Sequence, residues 1–132
     1  AIGRCCVTQT DISSHREERV EVALPVRLTL QLTAECGESI PAMLVNVSAS
    51  GIRVLTDVRF SPLLSLHLGT IFKIAFFFEE IEVREVKIRA ERITRSGPYA
   101  VELGCSFCDL PDETRTMLRH KISAQLAKSK MR

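Results

Sequence analysis

The chain has 132 residues, enough for one domain that buries roughly two thirds of the surface its unfolded form exposes. Its 45% apolar and 26% charged composition is that of an ordinary globular protein, and a formal net charge of +2 excludes a broad basic surface for polyanions, so any anion recognition must be local. No apolar stretch reaches the ~18 to 20 residues of a membrane-spanning helix, because the run from Ile71 to Phe78 is broken by Lys73 and followed by Glu79 and Glu80.

The chain begins at Ala1 without Met, and nothing near it combines a basic region, an apolar core and a cleavage site. A trimmed or partial chain is the expectation. The five cysteines (Cys5, Cys6, Cys36, Cys105 and Cys108) are odd in number and irregular in spacing, which fits reduced thiols in a cytoplasm better than a disulfide framework.

Residues 1 to 19 form a polar, turn-prone arm that carries His15, Arg16 and Arg19. From there the pattern becomes alternating. Val20, Val22, Leu24, Val26, Leu28, Leu30 and Leu32 fall on one parity and Glu21, Arg27, Thr29 and Gln31 on the other, which predicts a half-buried strand. Pro25 lacks an N–H and places that strand at an edge, or bends or bulges it. Ala34 to Ser39, with Gly37, reads as the turn out of it.

Met43, Val45 and Val47 share one face of a second strand from Ile40 to Val47, and Ile52 and Val54 resume the alternation in a third, running to about Thr56. Between these strands lies Asn46-Val47-Ser48-Ala49-Ser50-Gly51. Read without context, N-x-S-x-x-G describes a β-turn, in which Asn and Ser side chains bond nearby backbone and Gly adopts positive φ cheaply. Residues 57 to 69 mix Ser61, Pro62, His67 and Gly69 with leucines and read as a loop that returns over the core.

Ile71 to Phe78 is a nearly continuous apolar strand whose aromatics belong to the core. Next comes a charged strand in which Val83, Val86, Ile88 and Ala90 point inward, the jump in parity marking a bulge near Arg84 and Glu85. After the turn Ser96-Gly97-Pro98, Val101, Leu103, Cys105 and Phe107 alternate through a sixth strand. The tail is helical: Asp109 caps it, Pro111 sits in the first turn, Asp112 and Glu113 complement the positive end, and Leu118, Ile122 and Leu126 form an apolar stripe.

Cys105-Ser106-Phe107-Cys108 is a C-x-x-C, yet no second knuckle accompanies it to complete a zinc site, and it closes a strand where redox chemistry would need it to open a helix. No acid, base and nucleophile cluster appears at recognisable spacing, so neither an enzyme nor a metal protein is expected. A nucleic-acid-binding barrel is disfavoured as well, since Tyr99 is the only Tyr and Trp is absent from a surface that would need stacking aromatics.

Arg19-Val20 entering the first strand, Leu24-Pro25-Val26, the Asn46 to Gly51 turn followed by Ile52, and Leu103-Gly104-Cys105-Ser106-Phe107 before Asp109-Leu110 resemble, in order and spacing, the PilZ family of bacterial cyclic di-GMP receptor domains. The resemblance implies an all-β fold with one C-terminal helix: a six-stranded antiparallel PilZ-type barrel over residues 20–108, an arginine arm over 1–19 and an amphipathic helix over 109–132. It assigns cyclic di-GMP contact to His15, Arg16, Arg19, Asn46, Ser48 and Gly51, with no metal. In that reading Arg19 forks onto guanine or phosphate, Asn46 accepts from a guanine N–H, Ser48 donates its hydroxyl and Gly51 allows close approach. The departure is in the arm, where the family's R-x-x-x-R becomes His15-Arg16-Glu17-Glu18-Arg19.

Two functions follow from the resemblance. One is a cyclic di-GMP receptor that orders its arm over the barrel and signals to a protein partner or an upstream domain. The other is a degenerate module that has lost nucleotide binding and acts through protein contacts. A homodimer is compatible with either.

Overall fold

The computed structural model describes residues 17–31, 36–57, 59 and 66–130. Six strands, β1 (Arg19–Gln31), β2 (Cys36–Ser48), β3 (Gly51–Asp57), β4 (Ile71–Phe78), β5 (Ile81–Arg95) and β6 (Ala100–Phe107), precede the helix α1 (Asp112–Lys130). The strands close into the expected six-stranded antiparallel barrel, in the order β1-β2-β3-β6-β5-β4. Closure leaves no free sheet edge along most of the strands, which the alternating pattern alone would have exposed.

Alternation works as read in β5 and β6. Val83, Val86, Ile88 and Ala90 are buried, as are Val101, Leu103, Cys105 and Phe107. In β1, Val26 and Leu28 are buried while Val20, Val22, Leu24 and Leu30 pack at its margin. Pro25 pairs with Met43 of β2, whereas β1 pairs with β4 only at Thr29 and Leu30, so the missing N–H falls where the strand has one neighbour. The bulge expected near Arg84 and Glu85 is present: Ile74 pairs with Val86 and Phe76 with Val83, leaving one extra residue on β5, and Glu85 has φ 21°.

Three expectations are corrected. In β2 the inward residues are Leu44 and Val47, not Met43 and Val45, because a bulge lies between Leu44, paired with Val54, and Asn46, paired with Arg53. The extra residue resets the parity, leaving Met43 exposed and Val45 half-buried. In β4, Phe72, Ile74, Phe76 and Phe78 fill the core but Phe77 faces out at 62% exposure, since a strand in a closed barrel has an outer face whatever its composition. Asp109 does not cap the helix. Its carboxylate accepts from the backbone N–H of Lys87 at 2.7 Å, and Pro111 takes the position before the helix, its carbonyl receiving the N–H of Arg115 at 2.9 Å.

The helix follows the predicted stripe. Leu118 and Ile122 are buried and Leu126 half-buried against the end of the barrel formed by β1, β2 and β5, and each fully buried leucine or isoleucine contributes about 1.5–3 kcal/mol. The turn expected at Ala34 to Ser39 is shorter, because β2 already begins at Cys36; residues 32 to 35 and most of the expected 57–69 loop lie outside the described residues. No helix among the described residues is long and apolar enough to cross a membrane.

Candidate ligand-binding site

The hairpin between β2 and β3 turns through Ala49 and Ser50, and the Asn46 to Gly51 motif wraps it. Ser48 is fully buried, and its hydroxyl donates to the carbonyl of Gly51 at 3.1 Å while accepting from the backbone N–H groups of Ser50 and Gly51 at 3.3 and 3.1 Å. One side chain thus satisfies three backbone groups that the tight turn would otherwise strand. The hydroxyl faces the turn, not the solvent side where a ligand would lie.

Gly51 does not use positive φ; among the described residues only Gly69 and Gly97 do so as glycines. Its lack of a side chain serves β6: a Cβ there would lie 2.1 Å from the carbonyl oxygen of Cys105. The neighbouring strand thus makes one close approach at Gly51, which also lines the cleft described below.

Asn46 is buried at 9% exposure, and its Oδ1 accepts from the Arg19 guanidinium Nη1 at 3.2 Å. Register makes the meeting possible: Asn46 sits between Glu21 of β1 and Arg53 of β3, while Arg19 opens β1 opposite Ser48. Of the six residues proposed from sequence, the structure therefore brings together Arg19, Asn46, Ser48 and Gly51. His15 and Arg16 lie outside the described residues.

Arg19 stands at the mouth of a cleft of about 250 Å³. Ser50 and Arg53 line it from the turn and β3, Glu91 and Arg92 from β5, and Gly104 and Ser106 from β6. Gly104 is the floor. It pairs with Arg53 on one side and Arg92 on the other, and having no side chain it leaves the space between the two guanidiniums open. Arg53 is also held by Glu102, Nε to Oε2 3.3 Å.

Glu91 owes its place to a further bulge. Ala90 pairs with Cys105 and Arg92 with Gly104, so β5 fits two residues against one step of β6, and both Glu91 and Arg92 are exposed on the outer face. The Glu91 Oε2 accepts from the Ser106 hydroxyl at 2.6 Å and from Arg89 Nε at 3.0 Å. The Ser106 hydroxyl first, and then Arg89, hold its carboxyl below the ordinary carboxylate range. Arg53, Glu91, Arg92 and Ser106 are absent from the motif reading. The spacing of three from Ala90 to the half-buried Ile93 carries the same bulge signal as Val83 to Val86, but Gly104 as a shared floor is visible only once the strands are in register.

Cys105 and Cys108 do not form a site. Cys105 points into the core, where burial, with Glu91 second, pushes its thiol up to about 12, while Cys108 is exposed. Among the described residues no group of three or more His, Cys, Asp or Glu side chains could hold a metal ion.

The root of the arm is tied down next to the cleft. Glu17 accepts from the Ser50 hydroxyl and Glu18 from the Ser123 hydroxyl on α1. Arg115 of α1 in turn donates to the carbonyl of Ala49 at 2.7 Å, so the motif turn, the arm and the helix meet at one end of the barrel.

A closed six-stranded barrel with a terminal helix, an arginine at the entrance to β1 and an N-x-S-x-x-G hairpin between β2 and β3 define a PilZ-type domain. The PilZ domain model matches residues 13–124, and the chain belongs to the PilZ domain family. Among solved structures the fold is similar to Bacillus subtilis inhibitor of motility, MotI/DgrA, with TM-score 0.67, 15% identity, 89% of this chain and 53% of that one. It is also similar to YcgR from Escherichia coli, solved in complex with c-di-GMP, with TM-score 0.63, 15% identity, 89% of this chain and 48% of that one. The chain thus spans about half the length of each. No curated protein matches it.

Proposed function

We propose that this domain is a cyclic di-GMP receptor and that the ligand lies in the cleft over Gly104, clasped by Arg19 and the arm. The observation that carries the reading is the Arg19 to Asn46 hydrogen bond at 3.2 Å, which aims a guanidinium at a cleft already lined by Arg53 and Arg92. Cyclic di-GMP has two phosphates and two guanines. Guanidinium forks suit both, because they donate paired hydrogen bonds to phosphate oxygens or to guanine O6 and N7, and stack on base faces.

In this reading the motif residues have different tasks. Asn46 acts through Arg19 as a positioning residue, while Ser48 and Gly51 set the hairpin that carries Ser50 to the rim. His15 and Arg16 supply the rest of the arm. The cleft's volume falls just below the ~300–1,000 Å³ of typical small-molecule pockets, which is consistent with a site that the arm completes. Arm closure would compete with the contacts of Glu17 to Ser50 and Glu18 to Ser123, and so would be felt at α1 and by a protein partner or neighbouring domain.

Calorimetric titration of cyclic di-GMP tests the proposal. The parent chain is expected to give a saturable isotherm. Arg19→Ala should weaken binding by about 10- to 100-fold, the equivalent of one lost charge-assisted hydrogen bond, and should lower the melting temperature modestly, because the Oδ1 of buried Asn46 loses its partner. No binding by the parent at high-micromolar ligand would overturn the receptor reading in favour of a module acting through protein contacts, and recovery in His15→Arg would locate the loss in the arm.

A further inference from the structure

Resting on that reading, we propose that Glu91 is the guanine-reading residue of the cleft, accepting at its open Oε1 a hydrogen bond from the N2 amino group of one base. The bulge between Ala90 and Arg92 is the structural basis. In an unbulged strand consecutive side chains face opposite sides, so an acidic and a basic residue in succession could not both reach one ligand. Here both do, and Glu91 and Arg92 line the cleft together. Bulges of this kind re-aim a side chain beside a binding site.

The carboxylate is pre-oriented on one side only. Oε2 already accepts from Ser106 and Arg89, while Oε1 has no hydrogen-bond partner among the described residues. An ionised carboxylate is an acceptor with about two lone pairs on each oxygen, so Oε2 is filled and Oε1 is open. Guanine presents two adjacent donors on its Watson–Crick edge. Adenine presents a lone pair at N1 beside its amino group, which would face the carboxylate charge directly.

Selection therefore acts both ways, through a gained hydrogen bond and through repulsion of the competitor. Arg53 and Arg92 flank the same floor and supply positive charge for the phosphates, which offsets the cost of an acidic group beside an anionic ligand. Asn46, buried and engaged with Arg19, is not among the residues that line the cleft.

A cycle that perturbs both partners tests this. Cyclic di-GMP, cyclic di-IMP (which lacks only the 2-amino groups) and cyclic di-AMP are titrated into the parent chain and into Glu91→Gln. The parent should bind cyclic di-GMP at least tenfold more tightly than cyclic di-IMP and should reject cyclic di-AMP. In Glu91→Gln the guanine-to-inosine ratio should fall to within about twofold, a coupling that a merely structural role for Glu91 would not produce. A parent ratio below about twofold, or an unchanged ratio in the variant, would overturn the assignment while leaving the receptor reading intact. Absence of any Arg19-dependent binding of cyclic di-GMP would overturn both.

Discussion

Replacing Gly51 by alanine adds a single methyl group, and its consequence separates two reasons for a glycine at that position. A Cβ would meet the Cys105 carbonyl oxygen at 2.1 Å, the Cys105 carbonyl carbon at 3.1 Å and the Ser106 Cα at 3.2 Å, all of them backbone atoms. None can rotate away as a side-chain end would. To reach ordinary contact, β3 and β6 must separate by about 1 Å or more at the point where Gly51 pairs with Ser106, which costs about 1–3 kcal/mol as overpacking. The neighbouring bond from the Phe107 N–H to the Ser50 carbonyl, 2.9 Å long, would be stretched with it, and losing it adds about 0.5–1.5 kcal/mol.

The expected destabilisation is about 2–4 kcal/mol, read by urea denaturation. At about 3 °C per kcal/mol for a domain of this size, the melting temperature should fall by roughly 6–12 °C. Gly51→Asn separates the causes: asparagine tolerates left-handed φ, so it would be the milder change if backbone conformation were limiting, whereas steric contact with β6 makes it at least as damaging as alanine. A Gly51→Ala melting temperature within 2 °C of the parent, or Asn better tolerated than Ala, would refute the close-approach argument.

Ser48→Ala should destabilise the domain by about 1–3 kcal/mol in the same denaturation assay, because it leaves two N–H groups and one carbonyl of the turn without their buried partner. Asp57 gives a pH test. Hydrogen bonds from the Arg59 side chain and then its backbone hold the Asp57 carboxyl at about 2, below its ordinary 3.8, so its contribution to stability is present above pH 4 and lost as pH falls toward 2. Asp57→Asn should therefore melt slightly below the parent at pH 7, with the gap closing between pH 4 and 2; a constant gap would show that the carboxylate charge has no part in it. The gap should be small, since the pair is exposed to solvent.

Much of this fold was legible because the inward residues of β1, β5 and β6 alternate mostly with charged, polar or small ones, so parity is readable. In β2 it was not: Met43, Leu44, Val45 and Val47 are apolar on both parities, and a bulge at Val45 could be neither seen nor placed. Phe77 was misread for the same reason, since a run of apolar residues does not reveal which face is wet. Asp109 is a competent cap by chemistry, but a backbone N–H at Lys87, 22 residues away, is nearer than the helix start. The site divides along the same line. Arg19 and the Asn46 hairpin are local patterns, whereas Arg53, Glu91, Arg92 and Ser106 converge only through the pairing of β3, β6 and β5.

That division bears on what the motif can diagnose. Ser48 spends its hydroxyl on the turn, Gly51 makes room for β6, and Asn46 holds Arg19. All three shape the hairpin. A chain could retain N-x-S-x-x-G because it stabilises the β2–β3 corner of the barrel, even after ligand binding was lost. Of the arginines that line the cleft, Arg92 is exposed with no hydrogen-bond or ion-pair partner among the described residues, whereas Arg19 bonds the buried Asn46 and Arg53 pairs with Glu102. Under the receptor reading, binding and folding are therefore separable at single residues: changes at Ser48 and Gly51 should move the melting temperature, a change at Arg92 the affinity alone, and a change at Arg19 both.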